Sequence, residues 1–593
     1  MASLSEAGLR REILEKFGDR LDEKLVPECV KLCQIYNISG ENLWYKWEAL
    51  KYKSSGPKHL NSDDVQQFTM DSIQALKEQA QSDLAKAKKQ QGKAQLTGPL
   101  NRNMLNGMMR PNMRSPMGPP IRTPARPAVR RQDGFSMAEG RKIPVAVPSK
   151  VRYVGPSNDA ESRKQRAYWY MYEKISERSE ALDNRIDDFG ELVKEHYGIE
   201  DLSDPSAATE EEVTAVGRIA LDSESSSGSV KLNEASLTLE LSRMMGSGAR
   251  VPLRFDSNVK LRGGSQGSGG VGLFPGAIVA LRGKNGGGGW FSVSEILSLP
   301  GLKTPPRNNM NVDSDSSFSA FVACGPFSPD ADLSFNPWHK LISKLKTEKP
   351  AVSILVGPFI DNAHPLVKSG DIDTTPAELF RQTFTATLRE YLDSAPGALV
   401  LIVPSVRDII SDHAVFPQSE LGFEFSGDPR MHLLPNPCLF TLNDLSFGVS
   451  SVDVIFHLRK EEFFKRAQEV ESISSQGDTT QAGDPMTNTC RHLLQQRSFY
   501  PIFPVPFDLS HEVNLDITHS EALKLAGLDS AASAPDVLIT PSRLKHFSKM
   551  VDSTLFMNPS FLTKGMFATM SYAGSGDNDL PDRLKADILK LDA

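Results

Sequence analysis

Apolar residues recur every three or four positions through the first 90 residues, and this spacing predicts amphipathic helices. Ser62 precedes Asp63 and Asp64, which suits a helix N-terminus because both a polar cap and acidic residues stabilise it. Four such helices predict a small N-terminal α-helical bundle over residues 1–90 that docks partners, with a purely structural cap as the alternative. The four apolar faces are Leu9, Ile13, Leu14 and Phe17; Leu25, Cys29, Leu32, Cys33 and Tyr36; Leu43, Trp44, Trp47 and Leu50; and Val65, Phe68, Ile73 and Leu76.

The helical periodicity ends near residue 91, and residues 91–156 are rich in Pro, Gly, Arg, Asn and Met. Such a segment buries too little apolar surface to offset its ordering entropy, so we expect a disordered, flexible linker. From Lys86 to Arg152 there are 15 Lys or Arg residues against two acids, within a chain of net charge −7. Ser115 and Thr123 precede prolines beside basic residues and are candidate phosphorylation sites, although such pairs also arise by chance in proline-rich segments.

Apolar residues spaced about 3.5 positions apart predict one long helix over residues 162–197, capped by Ser162 and stopped by Gly198. The period then changes to two, and Gly, Ser and Asn turns separate the apolar runs, which predicts short strands. Five or six strands in about 90 residues are typical of an OB-fold β-barrel, so residues 157–305 are predicted to be a helix plus an OB-fold. The expected strands are Val213–Leu221, Ser236–Leu241, Arg250–Phe255, Val259–Arg262, Ala277–Arg282 and Trp290–Ile296.

OB-fold barrels often bind single strands of nucleic acid by stacking bases on exposed aromatic side chains. Here the strands carry only Phe255, Trp290 and Phe291, with little clustered basic charge, so packing against protein is favoured over binding of single-stranded DNA. Two glycine clusters, Gly263–Gly272 and Gly283–Gly289, lack the Ser/Thr and the following helix of a phosphate-binding loop. Both clusters are predicted to be loose hairpin turns.

Residues 306–593 alternate continuous apolar runs with helical patterns, which indicates an α/β domain with buried strands. The polar stretch from Arg466 to Met486 is expected to be a mobile surface loop, at least in its second half, which is rich in Ser, Gly and Thr. The predicted strands are Ala320–Cys324, Ala351–Val356, Ala398–Val403, Leu445–Ser450 and Val537–Ile539, and the clearest predicted helix is Pro376–Leu392.

Composition narrows the class of protein. At 593 residues the chain is long enough for several modules, and 39% of its residues are hydrophobic. Its five cysteines never form a Cys-x-x-Cys pair, so neither a disulfide framework nor a zinc site is indicated, and a reducing compartment is expected. No window approaches 18 consecutive apolar residues, and the N-terminus is charged throughout, so we expect no membrane partner and no secretory signal.

Functional residues of a layered α/β domain are expected where strands end and loops begin. The order and spacing of these strands resemble the calcineurin-like phosphoesterase fold, whose strand-end acids and histidines hold two metal ions. In this chain glycine and proline stand at most of those points, and Asp361, His364, Asp408, His413 and His546 are too scattered for a two-metal centre. We therefore predict a calcineurin-like α/β phosphoesterase domain lacking its metal ligands, with no cofactor. The strand-end positions are Gly325, Pro326, Gly357, Pro358, Asp361, Pro404, Arg407, Asp408, Pro541, Ser542, Asn558, Pro559, Lys564 and Gly565.

The substituted loops form a series of short motifs over about 400 residues. In order and spacing the series resembles the B subunits of DNA polymerase α. The stretch at Leu273–Gly283 resembles the barrel of that family, and residues 195–200 resemble the helix before it. The later motifs are VACGPF, LVGPFID, VPSVRDI, RSFYPIFP, PDVLITPSRLKHF and MNPSFLTKG.

The resemblance implies a non-catalytic accessory subunit that scaffolds the polymerase α–primase complex in the nucleus for the initiation of DNA replication. The barrel and the inactive phosphoesterase domain would hold the C-terminal zinc-binding domain of the catalytic subunit, and primase would join through the complex. The N-terminal bundle would recruit other replication factors, and any contact with DNA would be indirect or weak. From the residues themselves, we expect the loop Phe499–Phe507 to be an exposed part of the interface.

Three alternatives compete with this interpretation. An active metal-dependent phosphodiesterase or nuclease is disfavoured by the missing ligand types. A single-stranded DNA-binding accessory module would use the barrel and the basic linker. The small subunit of polymerase δ or ε would keep the class of protein and change the complex.

Overall fold

The fold is that of a computed structural model. It describes residues 6–17, Val26, Cys29, Val30, Cys33, Trp44, Ser149 and 151–591 except 158, 169–173, 222–230, 303–315, 474–483, 527–532 and 575–579. The chain divides into two compact units, Met1–Phe135 and Ser136–Ala593.

The first unit begins with helix α1 (Glu6–Phe17), which confirms the first predicted helix. Leu9 and Ile13 on its predicted apolar face are buried, whereas Leu14 is 42% exposed. The buried face is therefore narrower than the sequence pattern indicated.

Further along this unit, Cys29 and Cys33 are helical and buried, as the second apolar face predicted. No cysteine of the chain is in a disulfide. The predicted helix over residues 63–90, nearly all of the predicted linker, and both Ser115 and Thr123 lie outside the described residues. The bundle, the linker and the phosphorylation sites thus stay predictions.

The single helix expected over residues 162–197 is wrong, because two helices take its place. They are α2 (Ala160–Gln165) and α3 (Ile175–Tyr197). Asp159, and not Ser162, caps α2 by accepting hydrogen bonds from the first backbone N–H groups of the helix.

The physical reason for two helices is that they pack on different parts of the second unit. Arg163 of α2 and Arg166, which follows the helix as its C-cap, bind the buried carboxylate of Glu420 in the α/β domain, at 3.2 and 2.9 Å. Just before α2, strand β1 (Tyr153–Val154) pairs with a strand of the same domain. The expected linker therefore ends earlier than residue 156.

Helix α3 packs on the barrel. Its residues Ile186, Phe189 and Val193 share a core with Val216 and Ile278 of the barrel. The helix ends at Gly198, which adopts the left-handed conformation (φ 64°) that favours glycine. The predicted stop signal is thus confirmed.

The barrel is a closed antiparallel sheet with one parallel closing pair. Its order is β4-β3-β2-β6-β7, and β7 pairs back onto β4, so the sheet has no free edge between them. The two strands predicted on either side of residue 256 form one strand with an irregular register. The elements are β2 (Thr209–Leu221), β3 (Leu237–Glu240), α4 (Arg243–Gly246), β4 (Arg250–Arg262), β5 (Gly270–Leu273), β6 (Ile278–Asn285) and β7 (Phe291–Leu297).

The α/β domain contains two six-stranded mixed sheets, in the orders β11-β10-β9-β8-β19-β20 and β1-β12-β13-β16-β18-β17. The five strands predicted for this domain are all present. The elements are β8 (Phe318–Cys324), α5 (Asn336–Glu348), β9 (Val352–Val356), α6 (Pro365–Ser369), α7 (Pro376–Phe380), a π-helical turn (Arg381–Thr385), α8 (Ala386–Ser394), β10 (Leu399–Val403), β11 (Met431–Leu433), β12 (Cys438–Leu442), β13 (Leu445–Val449), α9 (Val454–Glu461), β14 (Phe463–Arg466), β15 (Gln468–Val470), α10 (Pro485–Gln496), α11 (Ser510–Val513), β16 (Val537–Ile539), β17 (Phe547–Val551), β18 (Thr554–Asn558), β19 (Met566–Tyr572), α12 (Leu580–Arg583) and β20 (Leu584–Lys590). Short 3-10 helices are Glu234–Ser236, Phe423–Phe425, Phe507–Leu509, Ser520–Leu523 and Leu562–Lys564.

The two sheets of the α/β domain share one core. Ile354 and Leu401 of the first sheet cluster with Phe447, Ile539 and Met557 of the second. Helices α5 and α8 cover the other face of the first sheet. These layers give the α/β sandwich that the apolar strands predicted.

Two loop predictions are wrong in part, because strands far apart in sequence pair with each other. In the first glycine cluster, Gly270–Leu273 forms β5, which pairs antiparallel with β14. In the stretch predicted as a mobile loop, β15 pairs in parallel with β4, and Pro485 already begins α10. Most of the second half of that stretch, residues 474–483, lies outside the described residues. No helix in the described part of the chain is both long enough and apolar enough to cross a membrane.

Candidate functional site

The loops that follow β8, β9 and β10 form one face, because these strands are parallel neighbours and their carboxyl ends meet at one sheet edge. The Gly325 N–H donates to the carbonyl of Val356, and the Gly357 N–H donates to the carbonyl of Val403, both at 2.8 Å. Predicted strand-end positions from three separate motifs are therefore brought together here. We call this region the strand-end face (residues 325–326, 357–361 and 404–408).

Close packing explains why one of these positions must be glycine. A Cβ atom on Gly357 would lie 2.3 Å from a carboxylate oxygen of Asp408 and 2.8 Å from the backbone nitrogen of Ser405. No side chain fits that approach without moving the backbone. Pro326, Pro358 and Pro404 lie beside these contacts and supply no ligand atom.

Asp408 is the central acid of the strand-end face and is only 3% exposed. One carboxylate oxygen accepts hydrogen bonds from the N–H groups of Phe359 and Ile360, and the other accepts from the Ser405 N–H at 2.8 Å. Burial raises the pKa of Asp408 to about 7, because desolvation of the carboxylate outweighs the three N–H donors. Asp408 thus joins the loop after β9 to the loop after β10.

Asp361 and Arg407 form a two-bond ion pair beside Asp408. The Nε of Arg407 donates to one oxygen of Asp361 at 3.0 Å, and its Nη2 donates to the other. Asp361 is 8% exposed, so the pair is largely shielded on the carboxylate side. A guanidinium therefore supplies the positive charge next to the two acids of this face.

His364 begins helix α6 and is buried. Its Nδ1 accepts a hydrogen bond from the Leu366 N–H at 3.2 Å, so its Nε2 carries the hydrogen and donates to the carbonyl of Pro329 at 2.9 Å. Both ring nitrogens thus have partners in the chain, as expected for a structural cap.

The second sheet carries a separate group of predicted positions after β16 and β18. The side-chain oxygen of Asn558 accepts from the N–H groups of Ser542 and Ser560, both at 2.9 Å, and its amide donates to the carbonyl of Lys545 at 3.3 Å. Pro541 and Pro559 are buried beside it. Asn558 therefore holds the turn after β16 against the turn after β18.

The last two predicted positions lie on the surface turn that follows. Lys564 is exposed, with its Nζ 5.3 Å from the centre of the Phe561 ring. Gly565 adopts a φ of 71° and ends the 3-10 turn. Their contacts are those of a fixed turn.

The donor set of the strand-end face does not fit a two-metal centre. Within the described residues, no three or more His, Cys, Asp or Glu side chains cluster as a metal ion would require. The ligating atoms of Asp361, His364 and Asp408 already have partners in the protein, as described above. A metal ion would have to displace Arg407 and several backbone N–H groups.

Sequence reasoning missed Gln418 and Asn436, which are fully buried and bonded to each other through backbone and side chain. Gln418 also donates to the carbonyl of Ser405 at 2.9 Å, so the pair supports the loop after β10. The adjacent prolines, Pro417 and Pro437, were the only local sign of fixed turns.

The predicted exposed interface loop is wrong in its first half. Phe499, Tyr500 and Ile502 are at most 3% exposed, because they fill the core between the barrel and the sandwich. Phe507, at the end of the predicted loop, is 95% exposed. The sequence of this segment cannot distinguish a buried connection from an apolar surface loop, since both are rich in proline and aromatic residues.

The aromatic residues of the barrel are already covered by other groups. Phe291 is fully buried, the Arg254 guanidinium lies 3.6 Å from the centre of the Trp290 ring, and the Lys465 Nζ lies 5.1 Å from that of Phe255. Stacking of a base on the cation-covered face of Trp290 or Phe255 would require the cation to move.

Two protein families match separate parts of the chain. Residues 179–299 match the family of OB domains from the B subunit of DNA polymerase alpha. Residues 320–549 match the family formed by the B subunits of DNA polymerases alpha and epsilon. These matches cover the barrel and most of the sandwich.

Three relatives, each named as the B subunit of DNA polymerase alpha, are 32% identical to this chain over long segments. The one from Schizosaccharomyces pombe aligns over 96% of this chain and 99% of its own length. The one from Saccharomyces cerevisiae aligns over 71% of this chain and 61% of its own length. The one from Bos taurus aligns over 65% of this chain and 57% of its own length.

Proposed function

The chain belongs to the family of DNA polymerase alpha B subunits, and we propose that its barrel and α/β sandwich work together as a rigid scaffold of the polymerase α–primase complex. In this family the B subunit is the non-catalytic accessory subunit, so the function of the chain lies in assembly. The observation that carries the proposal is the continuous core between the barrel and the α/β sandwich.

That core includes side chains from both domains. Leu281 and Phe291 of the barrel cluster with Leu493 of α10 and with Leu538 and Phe556 of the second sheet. Two domains that share a core keep a fixed relative position, which is what a scaffold for a large partner needs.

Direct hydrogen bonds strengthen the joint. The side chain of Gln496 on α10 accepts from the Ile278 N–H and donates to the Ile278 carbonyl, both at 2.9 Å, in the manner of a strand partner. The pairing of β14 with β5 adds a backbone contact between the same two domains.

The partner we propose for this scaffold is the C-terminal zinc-binding domain of the polymerase α catalytic subunit, with primase joining through the complex. Exposed apolar side chains such as Phe507 support a protein-binding surface on the sandwich. The place of work would be the nucleus, where replication occurs.

We also propose that the phosphoesterase-like domain has kept the fold of a phosphoesterase and has lost its metal ligands. The internal bonding of Asp361, His364 and Asp408 supports this proposal, because the face is held by Arg407 and backbone N–H groups. Contact with DNA would be indirect or weak, since Phe291 is buried and cations already occupy one face of Trp290 and of Phe255.

For the N-terminal part, the proposal rests on composition and on the buried residues of α1. A helical bundle over residues 1–90 would recruit other replication factors through the basic linker of residues 91–156. The barrel would occupy residues 157–305 and the inactive phosphoesterase domain residues 306–593. Phosphorylation of Ser115 or Thr123 would cut the positive charge of the linker.

Reconstitution with purified proteins tests the assignment. The full chain, mixed with the C-terminal domain of the polymerase α catalytic subunit, should elute as a 1:1 complex by size-exclusion chromatography with light scattering. The same chain should hydrolyse no model phosphodiester with added Mn²⁺. Absence of the complex, or metal-dependent hydrolysis, would count against the scaffold.

A further inference from the structure

A small cavity lies where α3, β2 and the segment of residues 498–523 meet. Its volume of about 40 Å³ has room for about three water-sized groups. Most of its wall is apolar, and two of its lining side chains are arginines. We call it the arginine pocket, and its defining residues are Leu182, Arg185, Arg218, Phe503 and Leu523.

The guanidinium of Arg218 is only partly satisfied. Arg218 is 6% exposed, and its Nη2 pairs with the carboxylate of Glu240 at 2.9 Å. Its Nη1 is enclosed and has no hydrogen-bond partner. A buried donor without a hydrogen-bond partner is rare in proteins, because it loses its bonds to water. The Phe503 ring, whose centre lies 5.2 Å from the guanidinium carbon, compensates only in part.

Positive charge exceeds negative charge around the pocket. Glu240 is shared between Arg218 and Arg250, whose Nη2 lies 3.5 Å from the same oxygen. Arg185 donates to the carbonyl of Gln496 at 2.9 Å, and Asp188 is the nearby acid that favours its charge. Burial, and then the neighbouring Arg218, lower the pKa of Arg185 to about 10. Among the residues that the structure describes, the lining of the pocket thus holds two guanidiniums and no carboxylate.

We propose that the arginine pocket binds a carboxylate from an acidic side chain of a partner peptide, with the adjacent apolar side chain packed on Leu182 and Phe503. The planar fork of an arginine matches a carboxylate, and the pocket has room for its three heavy atoms. On binding, the Arg218 guanidinium turns its unpartnered Nη1 toward the ligand. The apolar wall favours an amphipathic peptide over an inorganic anion. The choice of a protein partner rests on the proposed scaffold function.

Ligand-detected saturation-transfer NMR on the full chain tests the pocket with N-acetyl-Leu-Asp-Phe-amide and its Asn counterpart. The Asp peptide should bind at least about tenfold more tightly than the Asn peptide, the size expected for one charge-assisted hydrogen bond. Equal binding of the two peptides would overturn the proposal. If hexanoate at the same concentration displaces the Asp peptide, the ligand of the arginine pocket is a small organic acid and the choice of a peptide is overturned.

Substitutions show whether the peptide binds at the arginine pocket or at another positively charged part of the surface. Arg218→Met and the less deeply buried Arg185→Met should each weaken binding of the Asp peptide at least about tenfold. Arg254→Met, which removes a guanidinium from the Trp290 face of the barrel, should leave it unchanged. An equal loss of affinity for the Asp peptide in all three variants would refute the site. Unchanged affinity in Arg185→Met, or in Arg218→Met that circular dichroism shows to be folded, would refute it as well. These readouts do not depend on the polymerase subunit, so failure here leaves the scaffold function untouched.

Discussion

At the residue scale, Asp408 shows how an acid at the end of a buried strand can serve the fold alone. Its two oxygens accept three backbone N–H bonds from the loops after β9 and β10, and Arg407 neutralises its neighbour Asp361. The cost is a buried carboxylate whose pKa is raised to about 7. Because the raised pKa favours the protonated form in the folded state, this group stabilises the fold most below its unfolded pKa of about 3.9.

The substitution Asp408→Asn tests this pH dependence. The wild-type contribution is present at acidic pH and is lost as pH rises from about 4 through about 7, whereas the Asn side chain does not titrate. Near pH 5 the variant should be less stable by about 1–3 kcal/mol, because the Ser405 N–H loses its acceptor. The gap between the two proteins should narrow at pH 8, as measured by urea unfolding.

The exposed Asp412→Asn, on the same loop, is the control and should change stability at neither pH. A gap for Asp408→Asn that widens toward pH 8 would contradict the account, since it would mean that the ionised carboxylate is the favoured form.

At the element scale, strands that are continuous apolar runs could be predicted from the sequence. The prediction failed for strands that form only by pairing with a segment far away in the chain. Strands β8, β9 and β10 were predictable because each is a continuous buried apolar run. Strand β5 was predicted as a turn, since Gly270 and Gly272 carry no β signal and the strand forms only by pairing with β14. The strand-end positions could be located from the same runs, but their bonding partners could not.

Gly272 makes a specific prediction about this pairing. A Cβ atom there would lie 2.2 Å from a Glu462 oxygen and 2.3 Å from the His492 Nε2, so it would separate two groups that bond at 2.9 Å. Gly272→Ala should therefore lower the thermal unfolding midpoint, with a cost of about 1–3 kcal/mol for the overpacked site. Gly286→Ala, which has open space around its Cβ position, is the matched control. Equal midpoints for the two variants would refute the close contact.

At the scale of the whole molecule, the barrel and the sandwich share one core, and we expect them to unfold together. Neither periodicity nor composition could predict this joint, because Phe499 and Ile502 look like residues of an apolar loop and are in fact buried between the domains. The same limit applies to Gln496, whose polar side chain gave no sign that it pairs with the backbone of Ile278.

Gln496→Ala tests the joint. It leaves the N–H and the carbonyl of Ile278 without their partner, which should cost about 1–3 kcal/mol for each buried group. Gln495→Ala has the same effect on helix propensity but loses only one bond of 3.4 Å to Ser298, so it should cost much less. Unfolding by guanidinium, followed by both Trp fluorescence and circular dichroism, gives the comparison. Equal costs for the two variants would show that the Gln496 bonds do not stabilise the joint.

The central claim is that the chain is the scaffold of polymerase α–primase, and recovery of its partner from cells tests it most directly. An epitope-tagged full chain, purified from nuclear extract and quantified by mass spectrometry, should carry the polymerase α catalytic subunit and both primase subunits in near-equal amounts. The catalytic subunits of polymerases δ and ε should stay at background. Recovery of the δ or ε subunit in equal amounts, without that of α, would contradict the account.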